Sequence, residues 1–276
     1  MIITESFIWI NNPKTASTFV RETLRQLYSI SPTDSEEKRE RFRNRWIKEI
    51  MCPERRPGAG KRTGQPTPHG TVSQIPIQCR HLPVASAIRD SVSRYLSLYN
   101  YKDWQKLDQL PAPIEDVLEH FPKFPNLGFE EFVEYSSKFY GTADLIVGDV
   151  CFRAGPLSMD FLRFFTVPQE SSSTVISFTS WEDLITQIQK TKFLATANVN
   201  KSLHDFLLEF GFHEDDLAFI INKPPSNVSE KKVQSIQLDT KMVQDTEWLL
   251  EGVVTHQPSE WQEYLVSVSE KYRISD

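Results

Sequence analysis

The sequence predicts an α/β fold assembled from strand–loop–helix units. Two stretches carry that prediction, and a third repeats it. In residues 7–27, the apolar run Phe7 to Ile10 suits a buried strand and is stopped by Asn11, Asn12 and Pro13. Phe19, Val20, Thr23, Leu24 and Leu27 then recur at helical spacing, predicting a helix over Ser17 to Tyr28. Residues 84–101 repeat the arrangement, with a strand over Val84 to Ile88 and a helix over Ser91 to Tyr101, capped by Asp90 or Ser91. Phe193 to Thr196, followed by a helix over Lys201 to Phe210 that Gly211 ends, is the third instance. At 276 residues with 39% hydrophobic side chains, the chain can bury a full core, and it is read as a single domain over residues 1–276.

Composition narrows the function. A net charge of −6 argues against a nucleic-acid surface, so any site for an anionic ligand must be locally basic. The 3 cysteines, Cys52, Cys79 and Cys151, are scattered without a C-x-x-C spacing, which predicts a reducing compartment and neither disulfides nor zinc. No apolar run is long enough for a membrane span, and the first strand begins close to Met1. A cytoplasmic protein, or else a trimmed catalytic domain, is therefore expected.

The loop between Ile10 and Phe19 is the chemically distinctive part. Lys14-Thr15-Ala16-Ser17-Thr18 is small and hydroxyl-rich, and it opens a helix. Backbone N–H groups of such a loop and of a first helical turn hold phosphate-like anions. Lys14 adds a positive charge, and Thr15, Ser17 and Thr18 add hydroxyls. No G-x-x-x-x-G-K-[ST] is present, and Gly58-Ala59-Gly60-Lys61 lacks both a preceding strand and a following hydroxyl. A P-loop kinase is disfavoured for the same reason.

PKTASTFV resembles the 5′-phosphosulfate loop of sulfotransferases, usually written PKTGTT or PKTGST. VASAIRDSVSRYLSLYNY resembles the 3′-phosphate motif of the same family, in which a strand ends in Arg-Asp-Pro ahead of a helix bearing Arg, Ser and Tyr. Both occur in the expected order, so the chain is similar to the family-2 type of sulfotransferase, which includes many carbohydrate sulfotransferases. The resemblance implies a P-loop-like three-layer fold with a central, mostly parallel sheet flanked by helices. It implies 3′-phosphoadenosine 5′-phosphosulfate as the donor, without a metal, and a hydroxyl of a sugar or small metabolite as the acceptor. On this pattern Lys14, Thr15, Ala16, Ser17 and Thr18 hold the 5′ end, and Arg89 and Ser97 hold the 3′-phosphate. Lys14 also meets charge on the leaving group. Ala16 stands where the family has Gly, although Ala does not readily take positive φ. Ser91 stands where it has Pro. Asn198 stands where a late strand–helix unit often has Glu.

The acceptor proton needs a base. Between the two motifs stand His69 and His81. Eight residues of extended chain separate His81 from Arg89 by about 26 Å, which places it at the wrong end of its strand. His69 lies in a loop, as a histidine does in many sulfotransferases, and imidazole titrates near neutral pH. His69 is therefore the expected general base, with Glu54 and Glu22 as fallbacks. Arg94 is expected to pack against a carboxylate. A catalytically inactive nucleotide-binding module on the same fold is the competing reading.

The remaining elements follow from periodicity. Residues 34–51 predict a charged surface helix with Phe42, Trp46, Ile47 and Ile50 on its buried stripe. Helices are expected over Ala112 to Phe121 and Phe129 to Phe139, an edge strand over Leu145 to Val147, and a strand over Thr174 to Phe178. A helix over Trp181 to Thr191 is capped by Ser180. Met159 to Phe165 fits a helix or an extended segment equally. Val233 to Leu238, Met242 to Leu250 and Ser259 to Tyr272 are read as C-terminal helices.

Overall fold

A computed structural model describes residues 1–53, 66–107, 110–166, 175–188 and 190–224, together with Glu247. The helices expected beyond residue 224 lie outside the described residues, as do Glu54 and the Gly58-to-Lys61 stretch. The chain forms two compact units. The first takes residues 1–54, 65–89 and 190–230, and the second takes 55–64, 90–189 and 231–276.

The first unit opens with β1 (Ile2–Thr4) and β2 (Ile8–Ile10), paired antiparallel. Thr4 makes the turn between them. Its hydroxyl donates to the oxygen of Phe7 and accepts from the amides of Ser6 and Phe7. From β2 the chain enters the Asn11-to-Ala16 loop and α1 (Ser17–Tyr28), the helix that the periodicity predicts. Then come α2 (Glu36–Phe42), β3 (Ile47–Glu49), and a small antiparallel pair, β4 (Cys52–Pro53) with β5 (Pro66–Thr67). β6 (Val84–Ile88) follows; the unit's remaining elements are β10 (Thr191–Ala195), α8 (Val199–Glu209) and α9 (Glu214–Ile221).

The main sheet has the order β10-β6-β2-β1-β3. β10, β6 and β2 run parallel, whereas β1 runs antiparallel to both β2 and β3. The fold is thus mixed α/β with a mixed sheet, rather than mostly parallel as expected. The tight Thr4 turn reverses the chain after β1, and such a reversal can only give an antiparallel neighbour. α1, α8 and α9 bury a common stripe against this sheet. Phe19, Val20 and Leu24 meet Leu203, Phe206, Leu207, Leu217 and Ile220, with Phe7, Trp9, Ala85 and Leu194 beneath. Each large side chain so buried stabilises the unit by about 1.5–3 kcal/mol.

The long helix expected over residues 34–51 is corrected. Only Glu36–Phe42 is helical, with the Ser35 hydroxyl accepting from the Lys38 amide. Ile47, Lys48 and Glu49 instead pair with Thr4, Ile3 and Ile2 at the sheet edge. A segment whose helical stripe is narrow gains more from the open hydrogen-bonding edge of β1 than from surface helix. Trp46, expected on the buried stripe, is 46% exposed.

In the second unit, β7 (Ala143–Val147) pairs antiparallel with β8 (Val150–Ala154) and parallel with β9 (Val175–Phe178). β7 is therefore the middle strand of its sheet and not the edge strand expected. Gly148, at φ 59°, supplies the left-handed residue that the tight β7–β8 turn requires. The helices are α3 (Ser91–Tyr101), α4 (Ile114–His120), α5 (Phe129–Phe139), α6 (Pro156–Phe165) and α7 (Trp181–Gln187). α6 settles the ambiguous segment as helix, started by Pro156 in its first turn. α7 ends four residues short of Thr191, which opens β10 instead. Tyr95, Trp104, Val117, Phe132, Tyr135 and Leu157 share an aromatic core. Arg94 is buried and paired with Asp160 at 3.1 Å, so it has the carboxylate partner expected of it. No helix among the described residues is long and apolar enough to cross a membrane.

Candidate active site

The parallel strands β2 and β6 lie side by side, with Ile10 opposite Ser86. Their carboxyl ends therefore deliver Asn11 and Arg89 to the same edge of the sheet. Ser86 is a polar residue with no exposed surface. Its hydroxyl donates to the oxygen of Ile10 at 2.8 Å, tying the two strands together where the loop begins.

The loop takes a shape that its composition does not favour. Lys14 and Ala16 both have positive φ, 61° and 56°. Ala16 thus occupies the left-handed region that Gly would take more cheaply, at a cost of about 1–2 kcal/mol. It is also the N-cap of α1, and its own side chain makes no capping hydrogen bond. The resulting bend, followed by the first helical turn, is the arrangement in which consecutive backbone amides converge on an anion. The hydroxyl of Thr15 donates to the oxygen of Asn12 at 2.9 Å. Its single proton is committed to the loop, so what Thr15 offers a ligand is its amide. Ser17 is buried, whereas Lys14, Ala16 and Thr18 are half-buried. The Arg89 guanidinium leans on this loop, with Nη1 3.4 Å from the oxygen of Lys14.

His69 arrives from a different direction. β5, paired to β4, leads straight into Pro68 and His69. The imidazole Nδ1 lies 2.7 Å from the backbone oxygen of Asn11. A carbonyl oxygen only accepts, so Nδ1 carries the proton and the basic lone pair sits on Nε2. The side-chain amide of Asn11 donates to the oxygen of Pro68 at 3.1 Å. The amino group of Met1 donates to the same oxygen at 2.5 Å and to that of Ile50 at 3.0 Å. Burial holds that amino group's pKa below its ordinary value.

Lys14, His69 and Arg89 therefore gather around one strand edge, all within the first unit. Ser97 belongs to the second unit, half-buried two turns into α3. His81 is exposed and precedes the amino end of β6. Glu22 is exposed on α1. Asn11 was missed by sequence reasoning, which treated it only as a strand breaker. An amide side chain immediately after a buried strand was the available signal.

A second polar constellation lies in the other unit. Glu247 is fully buried and accepts from the Tyr95 hydroxyl at 2.8 Å, the Ser158 hydroxyl at 2.7 Å, and the amides of Ser158 and Leu157 at 2.6 and 3.3 Å. Those amides belong to the first turn of α6, so Glu247 caps that helix from a distance. Burial pushes its carboxyl up to about 7, against the pull of these four donors. Compared with family models, curated proteins and solved structures, the chain matches none of them.

Proposed function

We propose that the chain is a sulfotransferase with a P-loop-like three-layer fold, moving a sulfuryl group from 3′-phosphoadenosine 5′-phosphosulfate to a hydroxyl of a sugar or small metabolite. One observation carries the reading. A loop with two left-handed residues ahead of a helix, a lysine, an arginine and a histidine with its basic lone pair on Nε2 share one end of two parallel strands. The carboxyl ends of parallel strands are where α/β sheets bind ligands.

The residues fit the donor's chemistry. The start of α1, whose N-cap side chain is a methyl group, and the two left-handed residues suit the 5′-phosphosulfate, and Lys14 supplies charge for it. Arg89, at the next strand end, suits the 3′-phosphate. In the transfer, the acceptor oxygen bonds to sulfur as the bond from sulfur to the bridging phosphate oxygen breaks. The acceptor proton passes to His69 Nε2, and the bisphosphate leaves with the electron pair. Lys14 stabilises that leaving charge. The oxygen of Asn11 stays bonded to Nδ1–H throughout and stabilises the imidazolium that forms.

The test is incubation of the purified chain with sulfur-labelled donor and a panel of sugar acceptors. Labelled acceptor and free bisphosphate should appear in equal amounts. His69→Ala should lose about 10²–10⁴-fold in rate while bisphosphate binding survives. Tight bisphosphate binding without transfer to any acceptor would instead favour a nucleotide-binding module. Absence of both would sink the reading.

A further inference from the structure

Any residue at position 11 would offer His69 a backbone carbonyl. What Asn contributes is its side chain. Asn11 has no exposed surface, and its amide nitrogen donates to Pro68 at 3.1 Å. The amide's orientation follows from chemistry, since turning it over would set two acceptors against each other. In the orientation that results, Oδ1 is buried and has no hydrogen-bond partner among the described residues. An unsatisfied buried acceptor costs about 1–3 kcal/mol. The oxygen of Pro68 does not depend on Asn11 for a donor, because the Met1 amino group also reaches it. On stability alone, an apolar side chain would serve better here than Asn.

We propose that Asn11 is a positioning residue, whose side chain pins the Pro68 carbonyl so that the next residue's imidazole meets the Asn11 backbone oxygen and presents Nε2 as the base. The two bonds run in opposite senses between the same short segments. The side chain of residue 11 holds the backbone of residue 68, and the backbone of residue 11 holds the side chain of residue 69. Such a two-point clasp removes both the ring's rotation and the choice of tautomer. In free solution imidazole prefers the proton on Nε2, a tautomer that can neither donate to the Asn11 oxygen nor accept a proton at Nε2. This proposal rests on the reading of His69 as the base.

The test compares wild type with Asn11→Leu, and with Asn11→Ala should the larger side chain prevent folding. Nitrogen-15 NMR of the histidine rings in the intact chain reports the tautomer without any substrate. In wild type, His69 should carry its proton on Nδ1. In either variant the Nε2–H form should gain population while the bisphosphate still binds. With labelled donor, kcat should fall by up to about 10²-fold, the scale of a 1 Å misplacement, with donor KM unchanged. In a His69→Ala background the same substitution should cost almost nothing further. The proposal is overturned if wild-type His69 carries its proton on Nε2, if the variants keep the wild-type tautomer, or if the kcat loss persists undiminished without His69. If wild type transfers no sulfuryl group, the functional reading fails and the tautomer alone decides the clasp.

Discussion

A Cβ on Gly70 would stand 2.6 Å from Sγ of Cys52, closer than packed atoms come. The same position would be 2.6 Å from Cε of Met1. Gly70 is thus the residue that lets the segment carrying His69 lie flat on β4. Gly70→Ala should lift that segment, cost about 1–3 kcal/mol of stability, and reduce turnover more than bisphosphate affinity. Cys52→Ala should restore part of both in the Gly70→Ala background. Urea denaturation and labelled-donor kinetics read the two effects. Equal stability of Gly70→Ala and wild type would show that the contact yields.

Lys14→Ala should lower kcat by about 10²–10³-fold and weaken binding of adenosine 3′,5′-bisphosphate far less. In the proposed transfer, the charge it meets develops only as the leaving group departs. Single-turnover rates beside calorimetric titration separate the two. A loss confined to affinity would make Lys14 an anchor.

Arg89→Ala should erase the preference for adenosine 3′,5′-bisphosphate over AMP. Wild type should gain markedly more thermal stability from the bisphosphate, because only that ligand presents a 3′-phosphate to the guanidinium. Thermal-shift titration with both nucleotides decides it, and equal shifts in wild type would contradict the assignment.

Ala16→Gly should stabilise the fold. At φ 56° the methyl group is strained, and removing it returns about 1–2 kcal/mol, offset by about 0.4–1 kcal/mol of added unfolded-chain entropy. Ala16→Val should destabilise by more. A shift of the urea midpoint in the opposite direction for Ala16→Gly would mean that the loop relaxes around the methyl.

Glu247 should make stability fall as pH rises. Its folded pKa is raised from 4.5 to about 7, so between those values the folded state holds a proton that the unfolded state has released. The stabilisation is complete below about 4.5 and is lost as pH climbs through about 7, a swing on the order of 3 kcal/mol. Glu247→Gln should flatten that part of the profile. Urea midpoints of both proteins at pH 5 and pH 8, roughly bracketing this window, give the comparison. An unchanged slope in the variant would assign the pH dependence elsewhere.

The sequence by itself determined the elements whose own side chains pay for them. α1 and β6 match their predicted bounds residue for residue, since Phe19, Val20, Leu24 and Leu27 define a helix face and residues 84–88 are apolar enough to be buried on both sides. The presence of Lys14, Arg89 and His69 as charged or basic candidates was legible in the same way. Pairing was not. Ile47–Glu49 becomes a strand only because β1 offers an open edge, and β7 becomes central only because β8 and β9 flank it. Residues Asn11 and His69 are 58 apart in the chain, and nothing local to either encodes their bond. The left-handed turn at Ala16 runs against that residue's preference and is held by its surroundings. Local periodicity reports what one segment can bury. Strand partners, tautomers and strained backbone depend on atoms that distant segments supply, and these only the tertiary structure decided.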